Sequence, residues 1–103
     1  MDIKSLSAQV EKVSQLYSKK FHIDRDDDWF VLKLQEELGE LTQSYLKLKG
    51  KARTEGKSEE ALKEAFEKET ADVLCQILLL ANHNNIDLEK AIKEKWLIWN
   101  KKT

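Results

Sequence analysis

Apolar residues recur at steps of three and four along most of the chain, which is the period of an amphipathic helix. Between Asp2 and Lys20, Ile3, Leu6, Val10, Val13, Leu16 and Tyr17 form one stripe, and Asp2 is placed to cap it. The polar stretch from His22 to Asp28 interrupts the stripe, and its closely spaced aspartates suit a helix N-terminus. A second helix then runs to about Lys49 on Phe30, Leu34, Leu38, Leu41, Tyr45 and Leu48, with Gly50 placed to end it in a left-handed conformation. The loop Gly50 to Lys57 holds two glycines and no large apolar side chain. Ser58 reads as the N-cap of a third helix, with Glu59 and Glu60 in its first turn, reaching about His83. Its stripe is Leu62, Phe66, Val73, Ile77 and Leu80; Leu74, Leu78, Leu79 and Ala81 widen it until the C-terminal half is apolar nearly all round, so that half should be buried on several sides. After a polar break at Asn82 to Ile86, Asp87 can cap a fourth helix carrying Leu88, Ala91, Ile92, Lys95, Trp96 and Trp99.

Composition supports an all-α fold. Proline is absent, glycine is limited to Gly39, Gly50 and Gly56, and good helix formers dominate. A chain of 103 residues is one domain's worth of sequence, residues 1–103. Lys+Arg total 18 against 19 Asp+Glu, and the lysines are interleaved with acids, so no basic face is evident and a nucleic-acid polymer is not an expected partner. No apolar run approaches the roughly 18 residues of a bilayer-spanning helix, so no membrane association is expected. The lone Cys75 and the absence of a signal-like segment point to a cytoplasmic location.

The chemistry rests on carboxylates. Pairs three apart are frequent here, so what distinguishes Glu37/Glu40 and Glu69/Asp72 is their place on the helical wheel. Glu37 falls about 60° and Glu40 about 120° from the second helix's apolar stripe. Glu69 falls about 40° and Asp72 about 100° from the third helix's stripe, on the same side. If the two stripes pack together, one edge of the seam carries all four. Two readings follow. Either a hard divalent cation is held by oxygen ligands, with Mg²⁺ the usual ion where water and phosphate complete the coordination, or the acids are solvated flank charges in intrahelical ion pairs. No lysine lies on either stripe beside them. Gly39, inside a helix where glycine costs about 1 kcal/mol against alanine, suggests close approach of a backbone or a ligand.

These segments resemble a known family. LQEELGEL (Leu34 to Leu41), then ETADVL (Glu69 to Leu74), then IDLEKAIKEK (Ile86 to Lys95) are similar to the EExxE and ExxD motifs, and the pattern that follows them, of the MazG-like all-α nucleoside triphosphate pyrophosphohydrolases. The resemblance spans about Trp29 to Lys95. It implies four helices per chain, the second and third forming an antiparallel pair that completes a four-helix bundle by oligomerisation. It also implies Mg²⁺ (Mn²⁺ as a substitute) on Glu37, Glu40, Glu69 and Asp72, and hydrolysis of a (deoxy)nucleoside triphosphate to monophosphate and pyrophosphate, with clearance of non-standard nucleotides as the role. Glu36, the first acid of EExxE, has a supporting part. Lys95 matches the family's lysine on the last helix, whereas Trp99 stands where an asparagine is usual and Asn100 comes one residue later.

Trp29 and Phe30, two turns before the first carboxylate pair, are candidates to meet a base, while Trp96 and Trp99 suit a core or a subunit interface. His22 and His83 read as surface or capping residues and Cys75 as a small core residue. A short chain with an all-round apolar helix suggests a homodimer or homotetramer. Other readings are a non-catalytic helical oligomerisation module and a pyrophosphatase like that acting on phosphoribosyl-ATP.

Overall fold

The computed structural model describes residues 1–101, and every regular element in them is helical. Helix α1 is Ile3–Lys20, α2 Asp27–Leu48, α3 Glu59–His83 and α4 Leu88–Lys95, followed by a 3₁₀ helix, Leu97–Lys101.

The helix starts follow the expected caps. Asp2 accepts from the Ser5 N–H at 2.7 Å, Asp26 from Trp29 N–H at 2.9 Å, Ser58 Oγ from Ala61 N–H at 3.2 Å and Asp87 from Lys90 N–H at 3.1 Å. Each satisfies one of the amide donors that a helix leaves unpaired in its first turn. The ends of α1, α2 and α3 share one device. His22 (φ 55°), Gly50 (φ 73°) and Asn85 (φ 54°) adopt the left-handed conformation just past the helix. The next amide reaches back five residues in each case: Ile23 to Ser18, Lys51 to Leu46 and Ile86 to Ala81, at 2.8–2.9 Å. This is the Schellman closure. Gly50 was expected in this role; His22 and Asn85 fill it without being glycine.

The fourth helix is shorter than its periodicity suggested. Its α-helical hydrogen bonding ends at Lys95, and the chain tightens into the 3₁₀ helix, so Trp96 and Trp99 do not share an α-helical face. Trp96 is 68 % and Trp99 59 % exposed, so neither is a core residue.

The chain divides into two compact units, one of residues 1–23 with those from Leu78 onward and the other Asp24–Ile77. In the first, Leu78, Leu79 and Ala81 are buried; in the second, Phe30 and Leu62 are. Helix α3 is thus deeply buried toward its C-terminal end, although Leu74 stays exposed. The α1 stripe has the right period but is largely uncovered, with Val13, Leu16 and Tyr17 exposed, because an apolar stripe is buried only where another surface meets it. The second unit holds the candidate chemistry. There α2 and α3 pack closely and run antiparallel: late in α2 the Tyr45 ring lies 5.7 Å from that of Phe66, early in α3, while the earlier Glu40 faces the later Glu69.

Candidate metal centre

Three of the four expected carboxylates converge on the α2–α3 seam. Glu37, Glu40 and Glu69 each present an oxygen such that all three lie within 4.8 Å of one another. Glu37 is 9 % exposed, Glu69 is half-buried and Glu40 is exposed. Glu40 stands within hydrogen-bonding reach of both deeper acids. Asp72 is exposed and outside the close group, but its charge acts on Glu37 and Glu69.

The electrostatics record the crowding. Burial pushes the Glu37 carboxyl above the ordinary 4.5, and the Glu40 charge and hydrogen bond and the Asp72 charge push the same way. Burial likewise raises Glu69, reinforced by Glu40 and Asp72. Both therefore hold a proton more readily than a solvated acid. Burial of the Cys75 thiol, with Asp72 nearby, pushes it up too, which leaves it protonated and inert.

One cation is already close, although it lies off the apolar stripes. Lys33 lies 3.3 Å from Glu36 Oε1 and 3.6 Å from Glu37 Oε1. Burial lowers the Lys33 pKa, but the Glu36 hydrogen bond and the charges of Glu36, Glu37 and Glu40 outweigh it and leave it raised. The spacing of three and four residues from Lys33 to Glu36 and Glu37 was the available signal. The pairing is incomplete: Glu37 Oε2 and Glu69 Oε2 are buried without a hydrogen-bond partner. A buried carboxylate oxygen left unpaired costs free energy that a cation can recover. Oxygens sharing one ion at roughly 2.0–2.6 Å lie no more than about 5 Å apart, and an all-oxygen set suits Mg²⁺ or Mn²⁺. The residues fit a hard divalent cation.

The other candidates are distributed differently. Phe30 is 1 % exposed, so its ring is core and not open to a base; Trp29, half-buried, packs edge-on against it at 5.0 Å. Lys95 closes α4 and Asn100 lies in the 3₁₀ helix, both exposed and both in the first unit. Glu36 is exposed and joins Glu40 and Glu69 in lining a groove of about 600 Å³. Gly39 lines it too, and a Cβ built there would meet no atom within 4 Å, so among the described residues no backbone requires the glycine. Ser44, Lys47 and Lys57 on the same groove were not singled out by the sequence pattern. Lys47, two helical turns after Glu40 on the same face, could have been.

No family model matches the chain, and no curated protein or solved structure matches it.

Proposed function

We propose that this protein is a Mg²⁺-dependent nucleoside triphosphate pyrophosphohydrolase that converts (deoxy)nucleoside triphosphates to monophosphates and pyrophosphate, clearing non-standard nucleotides in the cytoplasm. The observation that carries the reading is that Glu37 Oε2 and Glu69 Oε2 are buried without a hydrogen-bond partner, while Glu37, Glu40 and Glu69, on antiparallel helices, each bring an oxygen within 4.8 Å of the others. The resemblance of LQEELGEL and ETADVL to the MazG-like motifs, which carry the same glutamates, points the same way.

Glu37, Glu40 and Glu69 would hold the cation, with Asp72 adding charge at the margin. A bound Mg²⁺ supplies neutralisation of phosphate charge and a lowered pKa for the attacking water. The chain's own residues do the rest. Glu37 and Glu69, set at the seam, would fix where the cation sits and so where its charge can hold the phosphates. Glu40 is exposed and reaches both, so it is the group to take the proton from water as the α–β anhydride bond breaks and pyrophosphate leaves. The exposed apolar side chains Val13, Leu16 and Tyr17 on α1, with Val31 and Leu32 on α2, suit a homodimer or homotetramer.

Phosphorus NMR of the products from a panel of canonical and modified triphosphates tests this. Equal monophosphate and pyrophosphate, dependent on Mg²⁺ and lost in Glu69→Gln, is the expected result; no turnover of any triphosphate overturns it.

The ion pairs of Lys33 with Glu36 and Glu37 favour a second reading, a non-catalytic helical module whose acids are neutralised internally. In that case Mg²⁺ at constant ionic strength leaves Tm unchanged.

A further inference from the structure

The groove beside the carboxylates has a basic side. Lys47 and Lys57 line it together with Glu40 and Glu69, and among the described residues neither ammonium is paired with a carboxylate. Lys47 follows Glu40 by seven residues, so its Cα stands about 10.5 Å further along the α2 axis. Helical side chains lean toward the N-terminus, which tilts the Lys47 chain back toward Glu40. Lys57 comes from the α2–α3 loop and is placed by a tight turn. Its N–H donates to Thr54 O at 3.1 Å, and the two central residues, Glu55 (φ 56°) and Gly56 (φ 76°), are both left-handed. The left-handed conformation is uncommon for glutamate and easily adopted by glycine. Between the lysines and the acids, Ser44 on α2 and Ala65 on α3 are small and leave room. The volume of about 600 Å³ lies within the range of small-ligand sites.

A groove with carboxylates at one place and two unpaired ammoniums two helical turns away suits a ligand that presents a cation to the first and free phosphate oxygens to the second. We infer that Lys47 and Lys57 bind the β- and γ-phosphates of the substrate and hold the pyrophosphate as it leaves, an inference that rests on the pyrophosphohydrolase reading. The anion then lies along α2 past Ser44, with its metal-bearing end at Glu40 and Glu69.

Binding of inorganic pyrophosphate by calorimetry, with and without Mg²⁺, tests this without requiring turnover. The expected result is Mg²⁺-dependent binding that weakens about tenfold for each of Lys47→Gln and Lys57→Gln, the loss of one charge-assisted hydrogen bond. Lys47→Arg and Lys57→Arg should restore most of it, and the Mg²⁺-induced rise in Tm should survive in all four variants, showing an intact fold and cation site. Undiminished pyrophosphate binding in the Lys47→Gln/Lys57→Gln double variant overturns the inference and leaves the function standing. Absence of pyrophosphate binding in the unmodified protein also overturns it, and triphosphate turnover then decides the function separately.

Discussion

Glu37 and Glu69 are acids on helix faces that would otherwise be apolar, and their raised pKa values tie the stability of the metal-free protein to pH. In the unfolded chain they titrate near 4.5, and in the fold above it. The folded protein therefore binds more protons between those values, so this cluster's contribution is favourable at acid pH and is lost as pH rises through the folded pKa values. Thermal melts from pH 4 to 8 in EDTA should show that loss, and Mg²⁺ should flatten it at neutral pH. Glu69→Gln should raise Tm in EDTA at pH 7.5 and remove the Mg²⁺ response; a variant that melts lower in EDTA would contradict the account. Gly39 makes a second residue-scale test. With no atom near its missing Cβ, Gly39→Ala should gain about 1 kcal/mol of helix propensity, or about 4–8 °C in Tm. The added methyl projects on the groove, so KM for the triphosphate should rise while the melting temperature does. The wheel was enough to find Glu37, Glu40 and Glu69 because their offsets depend only on spacing. It missed Lys33, since a long flexible side chain reaches a carboxylate one turn away from outside the apolar stripe.

At the scale of elements, the helices are set by their ends. Asp26 caps α2, the helix that carries two of the three clustered acids, and Asp26→Ala should cost about 1 kcal/mol in urea unfolding. Gly50 and Gly56 make the opposite case from Gly39: space is open around both, yet φ is 73° and 76°. Gly50→Ala and Gly56→Ala should each lose about 1 kcal/mol, so three substitutions with identical sterics should differ in sign by backbone conformation alone. Starts and stops were largely legible, because Asp2, Ser58, Asp87 and Gly50 are residue types with strong local preferences. His22 and Asn85 were less so, since both residue types enter the left-handed region more readily than most but far less than glycine, and the Schellman hydrogen bonds supply the rest. The end of α4 was misjudged because Trp96 and Trp99 keep an α-like spacing after the hydrogen bonding has changed to 3₁₀.

For the whole molecule, the buried apolar side chains among the described residues are Phe30, Leu62, Leu78, Leu79 and Ala81, a small core for this length, while Val13, Leu16, Tyr17, Val31, Leu32 and Trp96 lie exposed. Sedimentation equilibrium across micromolar concentrations should give at least twice the 12.0 kDa chain mass, with Tm rising with concentration; a monomer throughout would contradict the proposed oligomer. Helical class was legible from period and composition. Which stripes meet was not, because the pattern marks an apolar face without naming what covers it. The acidic seam was legible only where both of its helices had clear stripes to measure from. The central claim is that this seam holds a divalent cation, and Mn²⁺ titration followed by electron paramagnetic resonance tests it most directly. The account predicts loss of the free-ion signal on adding protein, its return on competition with Mg²⁺, and little loss with Glu37→Gln or Glu69→Gln. Equal Mn²⁺ binding by the unmodified protein and both folded variants would contradict it.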